Sequence, residues 1–157
     1  MNSKFSHVKI SGVCTVVPSV YINIDNEIEY YADKSKLDRL KTTVGLQYRS
    51  VVSPETTPAD LMEEAANHIL TDMKIDKGSI DAVICVLDFP DYKIPPTACV
   101  LHGKLGFSEA CLAFDITHGC AGYVYGLYVA HSMIEGGNCK RILLLVGDTK
   151  SRTINIK

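Results

Sequence analysis

The stretch Phe114-Asp115-Ile116-Thr117-His118-Gly119-Cys120-Ala121-Gly122-Tyr123 places one cysteine where a short apolar run meets a segment of small residues. The run Cys111–Ile116 has the composition of a buried strand, and 121–135 has the length of a helix. Cys120 is therefore predicted at a helix N-terminus, where unpaired N–H groups and the helix dipole favour the thiolate. This arrangement indicates a nucleophile. The alternative is a cysteine buried only for packing, which is common for a free thiol.

Length and composition favour one globular domain, since the chain has 157 residues and 46% of them are hydrophobic. The formal charge of -2 and the pI near 6.2 argue against nucleic acid or an anionic membrane as a partner. No apolar run approaches the length that spans a bilayer, and 1–5 lacks the apolar core of a signal peptide. We therefore expect a cytoplasmic protein.

The six cysteines fall at wide, uneven spacings and include no C-x-x-C pair. This spacing predicts neither a metal site nor a disulfide framework, so each cysteine is expected to be a free thiol. Cys14 and Cys85 lie in apolar, strand-like runs and are predicted to be core residues. Cys139 follows two glycines and is predicted to lie in a loop.

Local signals predict alternating strands and helices. The predicted strands are Val8–Val17, Tyr48–Val52 (a brief strand or edge segment), Ile80–Leu87, Cys111–Ile116 and 141–148. The predicted helices are 23–31, Lys36–Thr43 with a stop at Gly45, a helix capped by Thr57 with Pro58 at its first position, Thr97–Leu105 with a stop at Gly106, and 121–135. His68, on the third of these helices, is predicted to be a surface residue rather than a metal ligand.

This alternation, with later strands that are unbroken apolar runs, predicts an α/β fold with a mixed, mainly parallel sheet covered by helices. The loop 88–96 follows one such strand, and open α/β sheets place ligands beyond the carboxyl ends of their strands. A stiff, proline-bearing connection is the equally weighted alternative for that loop. The tail after Asp148 contains no terminating element, so we expect the protein to continue beyond it.

Two features near Cys120 bear on its chemistry. Gly122 and Gly126 each cost about 1 kcal/mol in a helix relative to alanine, which predicts close approach of another backbone or of a substrate chain. The alternative is a buried helix that packs tightly against a sheet. His118 is the nearest histidine, but catalytic dyads usually join residues distant in sequence, so it is a weak candidate for a partner.

Taken together, several segments resemble the N-terminal half of the β-ketoacyl-acyl carrier protein synthase III family, condensing enzymes of the thiolase superfamily. The resemblance covers most of the chain. Its specific parts are Ile94-Pro95-Pro96-Thr97-Ala98-Cys99, Leu105-Gly106, Ala113-Phe114-Asp115-Ile116, Gly119-Cys120-Ala121-Gly122, the strand 141–148, and Val44-Gly45-Leu46-Gln47-Tyr48-Arg49.

The resemblance implies that 1–157 is the N-terminal lobe of a thiolase-like enzyme that is a three-layer α/β/α protein when whole. It implies that Cys120 is the catalytic, acyl-carrying nucleophile, with its own N–H in an oxyanion hole. It also implies substrate-binding roles for Arg49 and for Ile94, which lines the acyl pocket of the neighbouring subunit in a homodimer. The family's histidine and asparagine lie in the C-terminal half, which implies that 1–157 alone is inactive.

The implied reaction transfers an acyl group to the cysteine and then condenses it with a decarboxylating malonyl thioester in fatty acid or related biosynthesis. No permanently bound cofactor is implied, since coenzyme A or acyl carrier protein thioesters are substrates. The sequence departs from the family at three points: it has no tryptophan, Thr43 replaces a basic residue, and His118 replaces a small one. An ester- or amide-forming acyltransferase of the same fold, or a non-catalytic scaffold domain, remains an alternative.

Overall fold

The computed structural model describes residues 4–31 and 33–152. Contacts within the chain divide them into two compact units. The first unit consists of 4–16 with 57–148. The second consists of 17–56, apart from residue 32, with 149–152.

The first unit is a parallel sheet with helices on both faces. Its strands are β3 (Ala82–Val86), β4 (Leu112–Ile116) and β5 (Ile142–Val146), and they lie in the order β4–β3–β5. Its helices are α2 (Pro58–Asp72), α3 (Thr97–Leu105) and α4 (Gly122–Glu135), with short 3₁₀ turns at Lys77–Ser79 and Gly119–Ala121. The predicted α/β fold with a mainly parallel sheet is confirmed.

The central strand β3 separates two packing layers. Every residue of β3 is buried, as its unbroken apolar run predicts. Val83 and Cys85 pack in a core cluster with apolar side chains of α2 and α3. Val86, of opposite parity in the strand, packs against α4. The sheet therefore has α2 and α3 on one face and α4 on the other.

Local signals placed the start of α2 and the end of α3 correctly. Thr57 caps α2 through a capping box: its Oγ1 accepts the N–H of Asp60 (3.2 Å), and Asp60 Oδ2 accepts the N–H of Thr57 (2.9 Å). Helix α3 ends at Gly106, whose φ of 69° is the left-handed conformation that glycine adopts at low cost. The predicted strands at β3, β4 and β5 are also present, shortened by one or two residues at their ends.

The second unit contains a two-stranded antiparallel sheet and one α-helix. Strand β1 (Val20–Asn23) pairs with β2 (Tyr48–Val51) and is followed by a 3₁₀ helix, Ile24–Tyr30, and by α1 (Lys34–Val44). Asn23 caps the 3₁₀ helix by accepting the N–H of Asp25 (2.9 Å), as predicted for 23–31. The antiparallel pair forms its own sheet rather than an edge of the parallel one, so the predicted mixed sheet is two separate sheets among the described residues.

The predicted first strand is wrong. Residues 8–17 form no strand, and Val13 is 79% exposed. β-branched composition favours a strand only where a neighbouring strand supplies a hydrogen-bonding ladder and a surface to pack on. Within the described part of the chain no strand pairs with 8–17, although Gly12 lies against Met73 and Ile69. Cys14, predicted to be core, is only half-buried for the same reason.

Candidate active site

Cys120 lies in the 3₁₀ turn Gly119–Ala121, between the end of β4 and the start of α4 at Gly122. It therefore precedes a helix N-terminus, as the sequence predicts. Its side chain is exposed, whereas Cys85, Cys111 and Cys139 are buried. Burial for packing therefore does not account for Cys120, although exposure alone does not distinguish it from Cys99, which is also exposed. The role of Cys120 as a nucleophile remains a prediction.

The buried cysteines provide the contrast. Cys85 lies in the middle of β3 with no solvent exposure. Burial raises the pKa of the Cys85 thiol strongly, and the nearby Asp115 carboxylate raises it further. Desolvation disfavours a thiolate, so Cys85 is held as an inert thiol in the core. Burial also raises the pKa of Cys139, the predicted loop residue, which follows α4 and lies outside any helix or strand.

The turn before Cys120 depends on a glycine. Gly119 has φ = 52°, in the left-handed region, and a Cβ there would have nothing within 4 Å. The requirement is therefore conformational rather than steric. The carbonyl of Gly119 accepts the N–H of Gly122, which closes the turn and leads directly into α4. The glycine before Cys120 permits the sharp strand-to-helix turn.

The glycines after Cys120 have a different function. A Cβ on Gly122 would lie 2.6 Å from Val86 Cγ1, and one on Gly126 would lie 2.8 Å from Val86 Cγ2 and 3.0 Å from Leu144 Cδ1. The close approach is thus to side chains of the sheet. The expectation of a backbone or substrate chain at these glycines is wrong, and the alternative of tight helix-to-sheet packing is correct.

Three carboxylates organise the carboxyl edge of the sheet around this turn, and the sequence reasoning assigned a role to none of them. Asp88 follows β3, and its Oδ1 accepts the N–H of Gly119 (2.9 Å). Asp148 follows β5, and its Oδ2 accepts the N–H of Asp88 (2.8 Å). These two hydrogen bonds connect the segments that follow all three strands.

The third carboxylate, Asp115 in β4, caps a neighbouring helix. Its oxygens accept the N–H of Thr97 (2.7 Å) and of Ala98 (2.8 Å) at the start of α3. The residue at the cap position of α3, Pro96, makes no side-chain capping bond. The only sequence signal for these roles is that each aspartate lies at or near the carboxyl end of a predicted strand.

His118 contacts an aromatic ring. Its ring centroid lies 4.0 Å from that of Tyr125, one helical turn into α4, with the planes tilted by 47°. Across residues 4–31 and 33–152, no hydrogen bond joins His118 to Cys120. His68 is exposed, as predicted, with Glu64 Oε1 3.9 Å from its Nε2. Nor does the described structure contain a group of three or more His, Cys, Asp or Glu side chains arranged to hold a metal ion.

The two predicted substrate-binding residues lie in different units. Ile94 is 86% exposed in the loop between β3 and α3 of the first unit. Arg49 is in β2 of the second unit, where its Nε donates to Glu27 Oε2 (2.9 Å) and its Nη2 to Glu27 Oε1. This pairing lowers the pKa of Glu27, mainly through the hydrogen bonds. The substrate-binding assignments of both residues remain predictions.

Comparison with known proteins bears on the exposed cysteine and its turn. The family model for 3-oxoacyl-[acyl-carrier-protein (ACP)] synthase III matches residues 114–157, which include Cys120. A Campylobacter jejuni protein that carries the provisional name 3-oxoacyl-[acyl-carrier-protein] synthase 3 is 45% identical over 159 aligned residues, which cover the whole of this chain. This chain belongs to the 3-oxoacyl-[acyl-carrier-protein] synthase III family. The resemblance found in the sequence is confirmed.

Further relatives carry the same family name. The β-ketoacyl-[acyl-carrier-protein] synthase III of Alkalilimnicola ehrlichii is 34% identical over 96% of the chain. The crystal structure of a 3-oxoacyl-(acyl-carrier protein) synthase from Burkholderia xenovorans superposes with a TM-score of 0.89 at 35% identity, over 97% of this chain and 43% of that one. The thiolase-like fold is thereby confirmed. The chain spans about half the length of its curated relatives, 45% of the Campylobacter protein and 46% of the Alkalilimnicola protein.

Proposed function

We propose that the protein containing this chain is a 3-oxoacyl-[acyl-carrier-protein] synthase III-like acyltransferase, in fatty acid or related biosynthesis, and that Cys120 is its nucleophile. The observation that carries the proposal is the exposed cysteine in a tight turn at the start of α4, in a chain of this family. The helix N-terminus supplies unpaired N–H groups that favour negative charge on sulfur and on a developing oxyanion.

In the proposed first step, the Cys120 thiolate attacks the carbonyl carbon of an acyl thioester. The carbon–sulfur bond to the donor then breaks, the donor leaves as a thiolate that takes up a proton, and the acyl group stays on Cys120 Sγ. The backbone N–H of Cys120 helps to stabilise the tetrahedral oxyanion between these events.

In the second step, a malonyl thioester loses carbon dioxide, and the resulting carbanion attacks the acyl carbon on Cys120. The thioester bond to Cys120 breaks, and the β-ketoacyl thioester is released. Cys120 Sγ is thereby restored as a thiolate. The histidine and asparagine that the family uses to stabilise the enolate belong to its C-terminal half. We therefore propose that 1–157 alone does not turn over, and that no permanently bound cofactor is needed.

We further propose coenzyme A or acyl carrier protein as the carrier of the acyl groups, and a homodimer as the working assembly. Ile94 would extend into the acyl pocket of the neighbouring subunit, which its exposure on the loop after β3 supports. Arg49 would contact the carrier. Its ion pair with Glu27 already fixes the direction of its guanidinium.

The test is covalent labelling of the intact protein. Incubation with short acyl-coenzyme A and acyl carrier protein thioesters, followed by mass spectrometry, should show one acyl adduct on the peptide containing Cys120, and Cys120→Ala should abolish it. Cys99→Ala is the matched control, because Cys99 is also exposed but lies on α3. Absence of an adduct with every donor would refute the proposal. Carbon dioxide release from a malonyl thioester separates condensation from ester or amide formation.

A further inference from the structure

Asp88 connects the turn that carries Cys120 to the rest of the sheet. It lies two residues beyond the end of β3, and its Oδ1 accepts the N–H of Gly119, 31 residues later in the chain, at 2.9 Å. Its own backbone N–H donates to Asp148 Oδ2 at 2.8 Å, from beyond the end of β5. Asp88 is therefore held from one side and holds the Gly119 turn on the other.

The Gly119 peptide is the part of the turn that most needs such a tether. Glycine at φ = 52° can leave that conformation at little steric cost, because it lacks a Cβ. A hydrogen bond from its N–H to a carboxylate is stronger than one to a neutral acceptor. The bond to Asp88 thus restricts the residue that directly precedes Cys120, while the bond from Gly122 to the Gly119 carbonyl restricts it from the other side.

We propose that Asp88 is a positioning residue for acyl transfer: by holding the Gly119 N–H, it keeps the sulfur and the backbone N–H of Cys120 in the geometry that attack on a thioester requires. Asp88 acts through Gly119 and does not touch the acyl group. The inference rests on the proposed function, since it assigns Asp88 a part in that same reaction. Misplacement of a reacting group by about 1 Å can cost about a hundredfold in rate, so a loose turn is expected to be slow.

The chain offers a matched control at the opposite end of β3. Asp81 precedes the strand, and its Oδ2 accepts the N–H groups of Lys140 (2.6 Å) and Arg141 (2.9 Å) before β5. The contact has the same chemistry as that of Asp88, a carboxylate bonded to distant backbone. It lies at the amino edge of the parallel sheet, away from Cys120. Asp81→Ala therefore reports what loss of such a contact does to stability alone.

The experiment compares intact wild-type protein with Asp88→Ala, Asp88→Asn, Asp88→Ser and Asp81→Ala. Single-turnover acylation of Cys120 by an acyl-coenzyme A is followed by mass spectrometry over a range of donor concentrations. Alkylation of Cys120 by iodoacetamide is timed in parallel, because it needs the thiolate but no oxyanion site. Thermal unfolding of each variant is recorded beside both rates.

We expect Asp88→Ala to lower the maximal acylation rate by about tenfold to a hundredfold, with less than about a threefold change in alkylation and in the half-saturating donor concentration. Asp88→Asn keeps an oxygen acceptor and should stay within about threefold of wild type. Asp81→Ala should lose stability and still acylate within about threefold of wild type. In Asp88→Ser the hydroxyl oxygen lies one bond closer to the backbone than Oδ1 does, so this variant should acylate slowly as well. It replaces Asp88→Ala should that variant not fold.

Wild-type acylation in Asp88→Ala or Asp88→Ser would overturn the inference, as would an equal slowing by Asp81→Ala. Asp88→Asn as slow as Asp88→Ala would overturn the role as a hydrogen-bond acceptor. An equal fall in alkylation and acylation would mean that Asp88 acts on the thiol itself, against the proposal. In each case, acylation of the wild type leaves the proposed function standing. A wild type that no donor acylates refutes the proposed function and this inference with it.

Discussion

Replacing Gly126 with alanine tests whether the sheet surface sets the position of α4. The new Cβ would lie 2.8 Å from Val86 Cγ2 and 3.0 Å from Leu144 Cδ1, closer than the roughly 3.5–4.0 Å at which carbon atoms pack favourably. Val86 is a β-branched residue in the central strand and has few alternative rotamers. Either the helix or the sheet side chains must therefore shift.

The expected cost follows from two opposing effects. Overpacking a well-filled interior typically costs about 1–3 kcal/mol. Alanine regains about 1 kcal/mol of helix propensity relative to glycine. The 2.8 Å contact with a stiff valine places the overpacking cost in the upper part of that range, about 2–3 kcal/mol, so we expect Gly126→Ala to destabilise the protein by about 1–2 kcal/mol. In a chain of this size each kcal/mol lowers the melting temperature by about 2–4 °C.

Gly103→Ala is the matched control, because it makes the same substitution in α3 at an exposed site where a Cβ meets nothing within 4 Å. It should stabilise the protein by about 0.5–1 kcal/mol. Both variants are compared with wild type by urea unfolding followed by far-UV circular dichroism. The reasoning is refuted if Gly126→Ala is as stable as wild type or if the two variants shift in the same direction.

Two further predictions concern the carboxylates. Asp115→Ala removes the acceptor of the Thr97 and Ala98 N–H groups and should lower the free energy of unfolding, measured in urea, by about 1–2 kcal/mol. Unchanged stability would contradict this prediction. Arg49 holds the pKa of Glu27 below its usual range, so this pair stabilises the fold above about pH 4.5, and that contribution is lost as the pH falls through the lowered pKa. Glu27→Gln should therefore flatten the decline of unfolding free energy below pH 4.5. A decline as steep as that of the wild type would contradict the assignment.

The features that could be predicted from sequence are those set by neighbours in the chain. The Thr57 cap, the Gly45 and Gly106 stops and the apolar run of β3 act over a few residues, and all lie where their local chemistry placed them. Cys120 at a strand-to-helix turn belongs to the same class, since a strand pattern and a helix pattern bracket it.

The features that escaped prediction depend on partners far along the chain. Val8–Val17 has the composition of a strand, but composition does not supply the second strand that pairing needs. Asp88 falls in the predicted loop 88–96 and Asp148 at the end of the predicted strand 141–148. Neither pattern indicates their backbone partners, which are 31 and 60 residues away. The glycines of α4 were correctly identified as sites of close approach, but the sequence does not reveal that Val86, rather than a substrate, is what they approach.

The contact of Val86 with both glycines makes these positions interdependent. One methyl group of Val86 lies under Gly122 and the other under Gly126, so a single valine sets the height of the first turns of α4 above the sheet. Val86→Ala would vacate the volume that Gly126→Ala fills, so the pair of substitutions should cost less than the sum of the two alone. A larger residue in place of Gly122 or Gly126 should therefore be tolerated better once Val86 has been replaced by a smaller residue. The start of α4, and with it the setting of Cys120, is constrained by the sheet as well as by its own sequence.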